Sequence, residues 1–158
     1  WLVGFLPRVN SWASSLRSCE VGSDQVVFDA EPLVAHADGE PGSEIVETYL
    51  DAVVAEDTTG YASYVNLAEI RYILARKYDR DTADEYLEWL TDLGIKTVDV
   101  GDTWTDASEY TLSYNPALGD SFALATAKHV DGTLLIGGDD DYDDVTDVPI
   151  DRFRDGSA

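Results

Sequence analysis

The sequence predicts an α/β fold, a three-layer α/β/α sandwich built around a central, mostly parallel sheet. Short apolar runs of strand length alternate with longer segments in which apolar residues recur every three or four positions. Two of these runs, Val26–Phe28 and Thr133–Ile136, lack the polar face of a half-exposed strand. Buried strands separated by helices favour parallel pairing, with helices on both faces of the sheet.

The domain is expected to begin at residue 25, after an extension over 1–24 that lacks periodicity and is poorly ordered or not native. Its first strand leads into a helix from about Glu31, where Pro32 fits the first turn because a missing N–H costs nothing there. Residues 58–60 are typical of a turn. The other helices of this half are expected from Ser43 after Pro41-Gly42, from Ser63 as an N-cap, and from Thr82 to Leu93.

The second half begins after Gly94, a typical helix terminator. Alternating residues predict a strand at Ile95–Val100, followed by a helix at Trp104–Tyr114 and an Ala-rich helix from Gly119 to Lys128. The apolar strand Thr133–Ile136 comes next. Val148–Ile150 is expected as a closing edge strand, because proline is tolerated at an edge. The domain then ends near residue 154, leaving a tail over 155–158.

The chain is strongly acidic, with 32 Asp and Glu against 10 Lys and Arg and a formal net charge of −22. This charge is opposite in sign to the basic surface typical of nucleic-acid-binding proteins. The acids are spread along the chain and lysine is scarce, a pattern typical of extreme halophiles, where molar salt screens self-repulsion. The net charge therefore says more about the habitat of the organism than about the binding partners of the protein. A hydrophobic content of 44% predicts a folded chain rather than a disordered one.

Cysteine and apolar content exclude several classes of protein. Cys19 is the only cysteine, so the chain forms neither an internal disulfide nor a cysteine-based zinc site. No apolar run approaches the roughly 20 residues that cross a bilayer. The sequence therefore predicts a soluble, cytoplasmic protein without a membrane partner.

Four acids stand at positions where a parallel sheet gathers functional groups. Asp29 and Asp139 follow the two apolar strands, Asp120 begins a helix, and Glu69 lies beside the apolar stripe of another helix. Each acid alone is explained as a helix cap, a turn residue or a solvated position. Four converging carboxylates, however, repel one another unless protons or a cation neutralise them. Their convergence would therefore favour a bound hard cation, with Mg²⁺ or Mn²⁺ as the natural occupant.

The segments around these acids carry a family resemblance. They read Val-Val-Phe-Asp29-Ala, Ser63-Tyr-Val-Asn-Leu-Ala-Glu69, Gly119-Asp120-Ser-Phe-Ala-Leu-Ala and Leu-Leu-Ile-Gly-Gly-Asp139-Asp-Asp141-Tyr142. In order and spacing they resemble the four acidic motifs of the PIN family, and the chain is similar to toxin ribonucleases of the VapC kind, with a haloarchaeal-like composition. The resemblance implies a PIN-like nuclease domain over 25–154 and metal-dependent hydrolysis of RNA phosphodiester bonds. It implies that the metal is held by Asp29, Glu69, Asp120 and Asp139, with Asp141 in a supporting place.

Two positions depart from the family pattern. Family members often carry Ser or Thr soon after the first Asp and just before the last motif, where this chain has Glu31 and Gly137. Ser63 and Ser121 remain as hydroxyls that orient water or ligands. We expect the two departures to affect the rate of RNA hydrolysis more than the type of reaction.

A basic stretch follows Glu69 directly and consists of Arg71, Arg76, Lys77 and Arg80. It has two interpretations of equal weight, RNA-phosphate binding or a solvated helix balanced by acids such as Asp79 and Asp81. High salt would weaken simple phosphate attraction in either case.

The resemblance implies the toxin half of a toxin–antitoxin pair, with an RNA substrate, a small antitoxin protein that blocks the acidic cleft, and a homodimer of the nuclease. A PIN nuclease of ribosomal RNA processing or RNA decay is the alternative, although such proteins usually carry extra RNA-binding or zinc domains. A catalytically silent PIN interaction scaffold is a third interpretation, and the retention of all four acids counts against it.

Overall fold

The computed structural model describes residues 24–154, and over this range the chain forms four β-strands and six α-helices. Of the extension predicted over 1–24 only Asp24 is described, and the predicted tail 155–158 lies outside the described residues. In chain order the elements are β1 Gln25–Phe28, α1 Ala30–Asp38, α2 Ser43–Val54, β2 Thr59–Tyr61, α3 Tyr64–Lys77, α4 Arg80–Leu93, α5 Trp104–Tyr114, α6 Leu118–Val130, β3 Thr133–Ile136 and β4 Ile150–Arg152, with single 3₁₀ turns at Val100–Asp102 and Asp140–Tyr142.

The four strands form one parallel sheet in the order β2-β1-β3-β4. The inner strand β1 pairs on one side with β2, where Val27 lies opposite Tyr61, and on the other with β3, where Val27 lies opposite Leu134. Apolar β-branched and aromatic residues in β1 favour such a doubly paired, buried strand. The predicted α/β class with a parallel sheet is confirmed.

Helices cover both faces of the sheet and create two separate cores. Side chains alternate along a strand, so Val26 and Phe28 point to one face of β1 while Val27 points to the other. The first face packs against α1 to α4 through residues such as Leu33, Leu50, Ile70 and Tyr86. The second packs against α5 and α6 through residues such as Ala107, Tyr110, Phe122 and Leu124. This arrangement is the predicted three-layer sandwich.

Side-chain caps fix the starts of three helices, and the predicted helices all form. Asp29, Ser63 and Asp79 each accept a hydrogen bond from a backbone N–H at the start of the next helix. Gly94 ends α4 with a positive φ of 122°, a backbone region open to glycine. None of the described helices has both the length and the apolarity needed to cross a membrane.

The prediction of a strand at Ile95–Val100 was wrong, because the chain touches the sheet there at one point only. Lys96 forms a single bridge to Tyr61 and then leaves the edge. Ile95 is buried, but Lys96 and Val100 are exposed, so the apparent alternation does not correspond to two faces of a strand. The edge strand β2 lies instead at Thr59–Tyr61.

The prediction of a turn at residues 58–60 was also wrong in part. Gly60 was interpreted as a turn residue, yet it sits inside β2 with both its neighbours paired to β1. A Cβ at Gly60 would come within 2.7 Å of Ile95 and 2.8 Å of Val53. The glycine is therefore required for close packing of α2 and Ile95 on the strand rather than for a turn.

Candidate metal centre

Four separate elements bring the predicted acids to one end of the sheet. Asp29 directly follows β1, and its N–H continues the sheet pairing by donating to the Leu135 carbonyl oxygen at 3.0 Å. Asp139 follows β3, Glu69 lies in the second turn of α3, and Asp120 lies in the first turn of α6. This is the carboxyl end of the parallel strands, where open α/β sheets form their sites.

The four acids line one cavity of about 280 Å³, together with Ala30, Glu31, Val34, Glu40, Ile73 and Arg154. The burial of the acids is graded. Asp29 is only 6% exposed at the base, Glu69 and Asp120 are half-buried, and Asp139 is exposed at the rim. Carboxylate oxygens of Asp120, Asp139 and Asp141 can all lie within 4.8 Å of one another. The cavity is therefore open to a ligand at one side and closed by Asp29 at the other.

Asn66 connects the two acids on the α3 side of the cavity. Its side chain is fully buried, and its Nδ2 donates to Glu69 Oε1 at 2.7 Å, with Asp29 Oδ1 at 3.4 Å and the Gly119 carbonyl oxygen at 3.1 Å. Its Oδ1 accepts from Ser63 Oγ at 2.6 Å. Asn66 therefore fixes the Glu69 carboxylate beside Asp29 and beside the start of α6.

A glycine at the start of α6 makes room for the same carboxylate. The Cβ that any other residue would carry at Gly119 would overlap the carboxyl group of Glu69. The helix N-terminus can thus approach α3 closely enough to bring Asp120 next to Glu69.

Tyr142 connects the two deepest acids from the opposite side. Its ring is 2% exposed, and its hydroxyl donates to Asp29 Oδ2 at 3.1 Å and also interacts with the Asp120 carboxylate. Burial, followed by the charges of Asp29 and Asp120, raises the pKa of the Tyr142 phenol. The phenol therefore stays protonated and keeps its hydrogen for the carboxylates.

The loop that carries Asp139 is held by its own turn and by an arginine. Asp139 Oδ1 accepts from the Asp141 N–H at 2.9 Å, closing the 3₁₀ turn. Arg152 on β4 donates to the Asp139 carbonyl oxygen at 2.7 Å, to the Gly137 carbonyl oxygen at 3.4 Å and to Asp143 Oδ1 at 2.7 Å. These contacts fix the backbone from which the Asp139 carboxylate projects.

The crowding of carboxylates raises the pKa of the two deepest acids. Burial and then the charge of Asp120 raise the pKa of Asp29 from 3.8 to about 8. Burial, with the charges of Asp139 and Glu69, raises the pKa of Asp120 to about 6. Without a bound cation, Asp29 and Asp120 therefore tend to hold protons, and this reduces the repulsion between the carboxyl groups.

The donor set fits a hard divalent cation. The acids supply oxygen ligands alone, as Mg²⁺ and Mn²⁺ prefer, and they converge on one cavity from separate parts of the chain. Asp29, Glu69, Asp120 and Asp139 are thus brought together as predicted, and Asp141 lies beside them.

The two serines have different surroundings. Ser63 supports the cavity through Asn66. Ser121 is fully buried, and its hydroxyl shares a hydrogen bond with Thr111 Oγ1 at 2.7 Å, on α5. Ser121 therefore joins α6 to α5 and does not line the acid cavity.

The basic stretch lies on the outer surface, away from the acid cavity. Arg71 pairs with Asp84 at 2.6 Å, and Lys77 pairs with Asp38 at 2.6 Å. Arg76 lies over the Tyr72 ring at 5.0 Å. Arg71, Arg76 and Arg80 line a second surface cavity at the junction of α3 and α4.

Sequence reasoning did not single out Asn66, Tyr142, Arg152 or Arg154 as parts of this centre. Asn66 and Tyr142 stand inside the quoted motifs, so their polar side chains at motif positions were the available signal. The two arginines reach the centre only through the pairing of β4 with β3, which the sequence does not specify.

Similar solved structures support the fold assignment. A structure described as VapBC2 from Rickettsia felis bound to a promoter DNA fragment aligns with a TM-score of 0.66 at 14% identity, covering 81% of this chain and 98% of that one. A toxin–antitoxin complex from Klebsiella pneumoniae gives 0.59 at 20% identity, covering 78% and 94%. DNA-bound VapBC from Salmonella typhimurium gives 0.61 at 10% identity, covering 82% and 98%. At these identities the likeness shows a common fold.

A comparison with curated proteins found no match. The family comparison did find one, since the model described as PIN domain matches residues 26–148. This range contains all of β1 except Gln25, strands β2 and β3, the six described helices and the four acids of the cavity. The chain belongs to the PIN domain family.

Proposed function

We propose that this chain is a Mg²⁺- or Mn²⁺-dependent endoribonuclease whose metal ligands are Asp29, Glu69, Asp120 and Asp139. The observation that carries the proposal is the single cavity lined by all four carboxylates, which come from four different elements. Membership of the PIN domain family supports the same interpretation. When bound, the cation supplies positive charge to a phosphate oxygen and lowers the pKa of a water molecule.

The residues of the chain organise this chemistry. Asn66 and Gly119 fix Glu69, and Tyr142 directs its hydroxyl to Asp29 and Asp120. The base of the cavity, where Asp29 lies, is closed to bulk water. The rim, where Asp139 lies, is exposed and accessible to a nucleic-acid strand. Asp141 lies close enough to Asp120 and Asp139 to assist the same cation.

We further propose that the nuclease is the toxin half of a toxin–antitoxin pair in the cytoplasm. The similar structures are described as toxin–antitoxin or VapBC complexes, and this chain covers 94–98% of their matched chains. The partners would be an RNA substrate, a small antitoxin that blocks the acid cavity, and a second copy of the chain. Roles in ribosomal RNA processing or RNA decay, or as a catalytically silent scaffold, remain the alternatives.

The decisive experiment is digestion of single-stranded RNA by the purified protein in molar salt, with Mn²⁺, with Mg²⁺ and with chelator. We expect cleavage with either cation and none with chelator. Asp120→Asn should abolish cleavage, because it removes a charged ligand. Asp131→Asn is the matched control at the other end of α6, where Asp131 has a φ of 55° that Asn readily adopts. Unchanged cleavage by Asp120→Asn would refute the metal assignment.

A second experiment separates the toxin role from the alternatives. Expression of the chain in a host should arrest growth, and co-expression of a short neighbouring reading frame for a DNA-binding protein should restore it. Growth arrest without such a neighbour, or cleavage confined to precursor ribosomal RNA, would favour the processing role. A folded protein that binds Mn²⁺ but leaves every RNA intact would favour the scaffold.

A further inference from the structure

Arg154 gives the acid cavity a positive group. It follows β4 and lines the same cavity as the four candidate metal ligands. Among the cavity-lining residues in 24–154, six carry carboxylates and Arg154 alone carries a positive charge. A phosphodiester strand that enters this cavity would face strong repulsion from the acids, and Arg154 is the positively charged donor among the described residues that line it.

Two carboxylates and a ring hold the Arg154 guanidinium in place. Its Nη2 donates to Glu31 at 2.7 Å and its Nη1 to Glu40 at 3.1 Å, and the group lies 4.7 Å from the centre of the Phe153 ring. The arginine side chain is 27% exposed. Of the five N–H donors of a guanidinium, these two ion pairs use two, and no further acceptor contacts Arg154 within residues 24–154. Arg154 is therefore oriented in advance and keeps free donors.

The two departures from the family pattern meet at this point. A Cβ at Gly137 would overlap the Glu31 carboxylate, so that carboxylate occupies the space that a larger residue at 137 would fill. The absence of a side chain at Gly137 thus leaves the room in which the Glu31 carboxylate reaches Arg154.

We propose that Arg154, held by Glu31 and Glu40, binds a backbone phosphate of the nucleic-acid strand at this cavity. The proposal rests on the nuclease function proposed above and adds a substrate-binding residue to it. Arginine suits this task because its planar, paired donors match phosphate oxygens. Glu31 and Glu40 give the cluster a formal net charge of −1, but the remaining N–H donors of Arg154 place its positive charge in direct contact with the phosphate.

The test measures binding of a fluorescein-labelled single-stranded RNA by anisotropy, with Ca²⁺ in place of Mn²⁺ and gel electrophoresis to verify that the RNA stays intact. We expect Arg154→Gln to weaken binding about tenfold, as for loss of a charged hydrogen bond. The slope of log affinity against log salt should fall by about 0.7, the value for one phosphate contact on a single strand. Arg154→Lys should lose less, because it keeps the charge without the paired donors.

Three comparisons separate this role from a structural one. Mn²⁺ affinity without RNA should not fall in Arg154→Gln, because the substitution removes a positive charge from the cavity that holds the cation. Gly137→Ala, which displaces the Glu31 carboxylate, should weaken RNA binding in the same direction but less. Lys128→Gln removes a similar exposed ion pair, with Asp106, at the far end of α6 and should change nothing.

Unaltered RNA affinity and salt slope in Arg154→Gln would overturn the proposal, and so would a loss of Mn²⁺ affinity as large as the loss of RNA affinity. Failure of the wild-type protein to cleave RNA in Mn²⁺ would refute the nuclease function instead. In that case the anisotropy comparison still decides whether Arg154 contacts phosphate.

Discussion

Replacement of Asp29 by Asn should stabilise the cation-free protein while weakening its hold on a cation. Asp29 is buried beside Asp120 and Glu69, and its raised pKa of about 8 means that ionisation is costly in the folded chain. Asn keeps the size of the side chain and can still cap α1, as Asp29 does through the Ala30 N–H at 2.8 Å. The substitution therefore removes the ionisable group with little loss of packing.

The magnitude follows from the difference in proton binding between the folded and unfolded chains. At pH 7 the folded chain holds the proton on Asp29, with a pKa of about 8, whereas the unfolded chain, with a pKa of 3.8, has lost it. The free energy of unfolding must then fall as pH rises from about 4 to 8, at about 1.4 kcal/mol per pH unit. From pH 3.8 to 7 this loss amounts to about 4 kcal/mol, which Asp29→Asn should recover.

Urea unfolding of the chelator-treated protein at pH 4.5 and pH 7, in high salt, measures this difference. Asp29→Asn should be the more stable protein at pH 7, and its advantage should shrink towards pH 4.5. Added Mn²⁺ should raise the free energy of unfolding of the wild type, and the increase should grow with Mn²⁺ concentration. The same addition should stabilise the variant much less. Asp79→Asn is the matched control, because Asp79 caps α4 at an exposed position outside the acid cavity.

A lower stability of cation-free Asp29→Asn at pH 7, or an advantage that is independent of pH, would refute the reasoning. The first result would mean that the Asp29 carboxylate is stabilised in the folded chain. The second would mean that the effect comes from packing.

Three further predictions concern the residues that support the acids. Gly119→Ala should lower Mn²⁺ affinity measured by electron paramagnetic resonance, because the new Cβ displaces the Glu69 carboxylate from its position beside Asn66. Asn66→Ala should lower both stability, by about 1–3 kcal/mol in urea, and Mn²⁺ affinity, since it leaves Ser63 and Glu69 without their buried partner. Tyr142→Phe should leave the circular dichroism spectrum unchanged and lower both RNA cleavage and Mn²⁺ affinity, because it removes the hydroxyl that donates to Asp29. Equal Mn²⁺ affinity in the variant and the wild type would contradict a role for the hydroxyl.

The sequence indicated three of the acids through the ends of regular elements, whereas the resemblance to the PIN family implied the metal site of all four, Glu69 included. Asp29 and Asp139 follow the apolar strands, and Asp120 lies in the first turn of a helix. Parallel pairing then brings these ends together. The contacts of Asn66 and Tyr142 could not be derived in the same way, because they depend on the distance and rotation between packed helices and loops.

The errors in the fold have a similar origin. Gly60 and the alternation at Ile95–Val100 are local signals, and both were overruled by tertiary packing. Gly60 serves the approach of Val53 and Ile95 to β2, which is a contact between distant parts of the chain. Single-residue patterns do not distinguish a glycine that turns the backbone from one that admits a neighbour.

The position of β1 inside the sheet determines how loss of a bound cation would affect the stability of the other strands. Strands β2 and β3 bond it on both sides, its inner residues are inaccessible to solvent, and Asp29 is attached directly to its end. The free-energy cost of keeping Asp29 buried without a cation is thus tied to the segment least able to open by local fluctuation. Hydrogen exchange of amides throughout the sheet should therefore accelerate together on chelation, as one cooperative unit, rather than by fraying near the cavity alone.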